Sequence, residues 1–288
     1  MNNVNAMNKR RSFSLPRISL GSIGTTLLLS TYALIVLGPL IIVVLNTMRP
    51  TREIYRAPVA LPSSINFDSY IIAWEEASFN VYFFNSLVIT VASVTLATTV
   101  SALAAYVLGR YRFRGSQALI AYFVAGLTLP FRLAMVPLFL LLNDLGLIDS
   151  RVGLILVYAA TGIPFSIFIL SAFFRQLPQE LSEAARIDGA NEFIIFSRVM
   201  LPLVRPSLAT VAIFQFVPLW NDFFFPLVLL RSTDKWTLPV GMTRFFGEFQ
   251  TDWSTLFAGL VITTLPLIIL FLSATEQIIS GLTAGVRK

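Results

Sequence analysis

Val81-Tyr-Phe-Phe-Asn-Ser-Leu-Val-Ile-Thr-Val-Ala-Ser-Val-Thr-Leu-Ala-Thr-Thr-Val-Ser-Ala-Leu-Ala-Ala-Tyr-Val-Leu108 lies between two consecutive charges, Glu76 and Arg110. It exceeds the roughly 20 apolar residues that carry a helix across about 30 Å of hydrocarbon. No water reaches backbone N–H and C=O groups at that depth, so only a helix, which satisfies them internally, fits the run. Similar runs recur outward along the chain. They cover Thr25 to Met48 before it, then Gln117 to Leu142, Val152 to Phe174, Ser207 to Leu230 and Ser254 to Thr275 after it. The third is interrupted by Pro130, Arg132 and Pro137, and the fourth contains Pro164. The expectation is an all-α integral membrane protein with six transmembrane helices. Trp74, Tyr82 and Phe83 beside the second span and Trp253 before the sixth are rings suited to the headgroup level.

Composition agrees. Of 288 residues, 56% are hydrophobic and 12% charged, against about 25% charged in soluble domains, which excludes a water-soluble globule. Histidine and cysteine are absent, which excludes Ser-His-Asp and Cys-His catalysis, His/Cys metal sites and disulfides. No GxxxxGK[ST] motif occurs, so the chain is not expected to hold ATP or any other cofactor itself.

The net charge of +6 is read by side rather than as a nucleic-acid signal. With the N-terminus cytoplasmic, the inner segments carry Lys9, Arg10, Arg11, Arg17, Arg110, Arg112, Arg114, Arg175, Arg186, Arg198, Arg205, Arg287 and Lys288, thirteen in all. The outer segments carry seven: Arg49, Arg52, Arg56, Arg151, Arg231, Lys235 and Arg244. The bias places both termini inside. Residues 1–79 then form a cytoplasmic tail, a first helix and an external loop. Residues 80–276 form the transmembrane core, and 277–288 a cytoplasmic tail. The basic start resembles a signal peptide, but its apolar run is too long, and it is read as an uncleaved first helix. The loop from Arg49 to Asn80, broken by Pro50, Pro58 and Pro62, has no long periodic segment.

Between spans four and five lies a segment of mixed polarity, Leu177-Pro-Gln-Glu-Leu-Ser-Glu-Ala-Ala-Arg-Ile-Asp-Gly-Ala-Asn-Glu-Phe193, running on to Val199-Met-Leu-Pro202. Pro178 starts a helix and Gly189 ends one. Glu180 and Glu183 sit near its positive end. Ala184 and Ala185 leave a nearly bare face that another surface could approach. Asn191 caps a second helix that Leu201-Pro202 stops. Phe193, Phe196 and Met200 share a face suited to the membrane interface or a partner. The shape is either a lever between two spans or an interfacial loop without a partner.

Glu183-Ala184-Ala185, Gly189 and Val199-x-Leu201-Pro202 resemble the EAA loop of ABC importer permeases, with Val199 where the family has Ile. Asn85-Ser86, Pro164, Trp220-Asn221-Asp222-Phe223 and Gly281-Leu-Thr-Ala-Gly285 resemble the shorter permease of maltose-type carbohydrate importers. The likeness covers roughly residues 80 to 285. It implies the type I ABC importer fold in a bacterial inner membrane, a second homologous permease, and a dimer of cytoplasmic ATPase subunits that holds ATP and Mg. It also implies an extracytoplasmic sugar-binding protein and docking of the loop at 178–205 in an ATPase cleft. The coupling residues it implies are Glu183, Ala184, Ala185, Arg186, Asp188, Gly189, Leu201 and Pro202.

Candidates for the substrate path carry alternatives. Arg132 lines a pathway or gate, or else marks a span ending near Pro130 with a short helix following. Trp220, Asn221 and Asp222, followed by Phe223 to Phe225, supply the amide, carboxylate and rings that bind sugars, or else form an interfacial belt. Asn85 and Asn143 are weaker candidates, with local capping as the alternative. Small residues Ala97, Ser101, Ala104, Ala105, Gly162 and Ser166 permit close helix contact. One rival function is an ion-coupled secondary transporter, for which only Asp222 offers an in-span acid. Another is a membrane enzyme, for which no clustered carboxylate pair is visible.

Overall fold

A computed structural model describes residues 20–246 and 252–284, with side chains for 23–246 and 252–274. The basic N-terminal tail, Gly285, Arg287 and Lys288 lie outside the described residues. In chain order the helices are α1 (Leu20–Asn46), α2 (Thr51–Arg56), α3 (Asp68–Ile71, continued by a wide turn to Glu76), α4 (Phe79–Arg110), α5 (Ser116–Thr128), α6 (Met135–Asp144) and α7 (Arg151–Gln176). They continue as α8 (Glu180–Ile187), α9 (Glu192–Ile194), α10 (Leu201–Leu203), α11 (Arg205–Trp220), α12 (Phe224–Leu229), α13 (Leu238–Gly241) and α14 (Trp253–Ala284).

Among the described residues four helices, α1, α4, α7 and α14, are long and apolar enough to span a bilayer alone. Two bent pairs bring the number up to six if each is one span. The first joins α5 to the segment Phe131–Asp144 at 85°, and the second joins Glu192–Leu203 to α11 at 74°. The third expected span, Gln117 to Leu142, is therefore not one straight helix. Leu129 is extended ahead of Pro130, the conformation that a following proline imposes, and the chain turns there. The fifth, Ser207 to Leu230, also breaks. The Asp222 carboxylate accepts hydrogen bonds from the Phe224 and Phe225 N–H groups at 3.4 and 3.2 Å and so starts a new helix, α12. The boundary expected at residue 276 does not coincide with a helix end, since α14 continues to Ala284.

The spine is the long pairing of α4 with α7, joined by α11 and α14, while α1 stands at the edge against α14 with most of its apolar residues exposed. Small residues bring the spine helices together: Ala97, Ser101, Ala105 and Ser166 are buried. Gly162 sits where a Cβ would lie 2.0 Å from Gln215 Oε1. Gln215, on α11, is buried and donates to Ser166 Oγ at 2.6 Å, a polar tie between α7 and α11. The loop after α1 is more ordered than its sequence suggests. The buried Arg49 guanidinium donates to Asn46 Oδ1 and to the carbonyls of Glu53 and Ala57, which ties α2 to the end of α1.

Candidate functional site

The segment between α7 and α11 forms an elbow. After Pro178, α8 carries Glu180 and Glu183 in its first turn. Gly189 follows with φ of 82°, a left-handed conformation that costs an L side chain about 1 kcal/mol or more. It closes the helix end, its N–H bonding Arg186 O while the Ala190 N–H bonds Ala185 O. The Asn191 side chain then accepts from the Ile194 N–H at 2.9 Å and caps the next helix. From Ile195 to Met200 the backbone widens into a π turn.

The expected shared face of Phe193, Phe196 and Met200 is corrected by that turn. The extra residue per turn rotates Phe196 and Met200 inward with Ile195, where they pack against Ala105 and Tyr106 of α4 and Phe174 of α7. Phe193 alone remains outside, 71% exposed. The elbow is thus built into the ends of two spans.

Polar contacts lock it further. The Arg110 guanidinium, at the last residue of α4, donates to the carbonyls of Leu177 and Pro178 and to Ser182 Oγ at 2.7 Å. The Glu192 carboxylate accepts from the hydroxyls of Tyr111 and Tyr106 and from Arg186 Nη2 at 2.6 Å. The Tyr111 hydroxyl and the Arg186 guanidinium hold the Glu192 carboxyl below the usual glutamate range. Burial, then the facing carboxylate, pushes the Tyr111 hydroxyl up. Glu192 is charged and Tyr111 protonated at neutral pH, the states that the lock requires, and both shifts widen the pH range over which they hold.

The face left over is exposed and carries most of the expected coupling residues. Glu183, Ala184, Arg186, Asp188 and Gly189 are exposed, while Ala185 turns half inward. Leu201 and Pro202 are half-buried, with Leu201 against the elbow core. Ile187, 86% exposed, and Phe193 stand out as apolar knobs among these charges. Such a face offers a stiff, mixed polar and apolar surface mechanically continuous with α4 and α7.

The substrate-path candidates separate. Trp220 is 1% exposed and its indole N–H donates to Thr263 O, so it packs α11 against α14. Asp222 caps α12 and accepts from the Tyr158 hydroxyl at 2.8 Å. Asn85 is buried and donates to the carbonyls of Asp234 and Trp236, while Ser86 Oγ accepts from the Leu238 N–H. These side chains hold the segment after α12 onto the far ends of α4 and α7. Asn221 is exposed and, among the described residues, its side chain donates to Val217 O of the preceding helix. Arg132 lies at the bend after Pro130, exposed, with its guanidinium 5.9 Å from the Phe224 ring. Asn85 and Trp220 are buried in contacts that hold the fold, whereas the Arg132 side chain is exposed.

Sequence reasoning missed Arg110, Tyr111 and Glu192 as the elbow's lock. The signal for Glu192 was its place directly after the Asn191 cap and six residues beyond Arg186. It also missed Asp149, which accepts from the Arg231 and Ser232 N–H groups and from Lys235 Nζ at 2.9 Å, anchoring the far-end loop.

Residues 97–282 match the family model described as binding-protein-dependent transport system inner membrane component. The chain is 39% identical over 260 residues, 90% of its length and 86% of the relative's, to the diacetylchitobiose uptake system permease protein NgcG of Streptomyces coelicolor. It is 37% identical over 257 residues, 88% and 91% of the two chains, to the arabinooligosaccharides transport system permease protein AraQ of Halalkalibacterium halodurans. Among solved structures, a chain of a bacterial ABC transporter involved in the import of the acidic polysaccharide alginate superposes with a TM-score of 0.80 at 26% identity, covering 91% of this chain and 99% of that one. With its helical spans and its elbow, the chain belongs to the family of binding-protein-dependent transport system inner membrane components, a multi-pass membrane permease of the ABC importer type.

Proposed function

We propose that the chain is a non-enzymatic permease subunit of an ATP-driven importer of small oligosaccharides. It pairs with a second, related permease to enclose the path. Two cytoplasmic ATPase subunits hold ATP and Mg, and an extracytoplasmic binding protein delivers the sugar. Both termini and the elbow face the cytoplasm, in line with the basic bias of those segments. The oligosaccharide class follows from the substrates in the relatives' names.

The observation that carries the reading is the exposed face of α8 on an elbow locked to two spans. When the ATPase dimer closes, force on α8 reaches α4 through Arg110 and reaches α7 through the core around Phe174 and Met200. A two-state repacking of the spans then opens the path to one side or the other. Asp222 is engaged as a cap and a tyrosine acceptor, so nothing favours an ion-coupled site there. Arg132 and Asn221, with exposed side chains, remain the candidates to meet sugar.

The chain has no cysteine, so Ile187→Cys introduces a single thiol on the exposed face. A photoreactive crosslinker on that thiol, in native membranes, is expected to capture a nucleotide-binding subunit. Capture of lipid alone would overturn the reading.

A further inference from the structure

At the elbow end of the bundle a cleft of about 1180 Å³ opens between the end of α4, the start of α5 and the end of α7. Arg110, Arg112, Arg114 and Arg175 line it, with Leu108 and Ile120 on its apolar side, and no Asp or Glu is among its lining residues. Arg110 is occupied by the elbow. Arg112, Arg114 and Arg175 are exposed and make no ion pair or hydrogen bond among the described residues. Three unpaired guanidiniums around one concave surface, beside the ends of two spans, form a receptor for an anion carried on something apolar.

We propose that this cleft binds the headgroup of an anionic phospholipid. The chain's own tails do not suit it, since residues 1–20 and 285–288 carry basic side chains and no acid. Phe113, which itself lines the cleft, and Leu119 on α5 are exposed apolar side chains against which acyl chains would lie. Guanidinium forks match phosphate oxygens two at a time, and each basic side chain near a membrane surface strengthens anionic lipid binding several-fold. Gln179 also lines the cleft, one residue before α8, so an occupied cleft would abut the elbow. The inference rests on the proposed placement of this end at a leaflet surface, but not on coupling to an ATPase.

Native mass spectrometry of the full chain, taken from vesicles of equal phosphatidylglycerol and phosphatidylcholine, tests it. The wild type is expected to retain phosphatidylglycerol in excess. That excess should fall about fivefold for each of Arg112→Gln, Arg114→Gln and Arg175→Gln, and the three Lys replacements should keep most of it. Equal retention of the two lipids by the wild type, or an undiminished preference in the triple Gln variant, overturns the proposal. Displacement of the lipid by millimolar inorganic phosphate overturns it too, by marking a soluble-anion site. The readout needs no nucleotide or partner, so its failure and that of the coupling reading are separable.

Discussion

Met200→Ala tests whether elbow stiffness transmits force. Met200 is fully buried among Ala105, Tyr106, Phe174 and Ile195, where the elbow meets α4 and α7. Truncation to Ala loses about 1.5 kcal/mol of transfer free energy. It also leaves a void of roughly 60 Å³, worth ~1.5 kcal/mol at about 24 cal/mol per Å³. The sum, about 3 kcal/mol, falls on the elbow rather than on the α4–α7 spine. Local opening should therefore become about 150-fold more frequent, at one decade per 1.4 kcal/mol. Hydrogen exchange at residues 195–204 reads this directly and should speed up by that order, while the middle of α4 is unchanged. In reconstituted vesicles with the partner subunits, sugar moved per ATP hydrolysed should fall even though the chain inserts and assembles. Unchanged exchange at the elbow would refute the packing argument. Faster exchange with an unchanged sugar-to-ATP ratio would refute the claim that stiffness matters.

Gly189→Ala leaves open space around the new Cβ, so its cost comes from the backbone at φ 82°, about 1 kcal/mol. Uptake should drop modestly at unchanged expression, and Gly189→Asn, which tolerates that conformation better, should recover part of it. Gly162→Ala places a Cβ against the Gln215 amide and displaces it from its bond to Ser166 Oγ. Overpacking of this kind costs about 1–3 kcal/mol, and the melting temperature of the purified chain should fall by several degrees. At Asp149, hydrogen bonds from Ser232 and Lys235 hold the carboxyl below the ordinary value of 3.8. Because the folded form binds the proton more weakly, the anchor is at full strength above about pH 4 and is lost as the pH falls below it. Protection factors at residues 231–237, meaning exchange relative to the unfolded chain at the same pH, should therefore fall on acidification, and Asp149→Asn should lower them already at pH 7.

The membrane class was legible because uncharged runs admit no other fold, and the ends of α4, α7 and α14 fall within a few residues of those runs, apart from the C-terminal extension of α14. The breaks at Pro130 and Asp222 were less so. Proline inside a span is often absorbed by neighbouring helices. Whether Asp222 bends the chain depends on which backbone N–H groups it meets. The two caps at Gly189 and Asn191 were readable because both act within five residues along the chain. The inward rotation of Phe196 and Met200 was not, because one extra residue in a turn changes the face without leaving a mark in the residue types. Long-range ties were hidden for the same reason. Arg110 and Ser182 are 72 positions apart, and Asn85 and Trp236 are 151 apart, so only the fold pairs them.

The most direct test of the elbow as a force-bearing joint is the number of sugar molecules accumulated per ATP hydrolysed. It is measured in proteoliposomes holding the chain with its partner subunits, for the wild type and for Glu183→Lys. Glu183 is exposed and its side chain makes no hydrogen bond or ion pair among the described residues, so the variant costs the fold only the helix-dipole interaction, about 0.3–1 kcal/mol. The account predicts continued hydrolysis with accumulation near background in the variant. Equal accumulation per ATP in both proteins would contradict it.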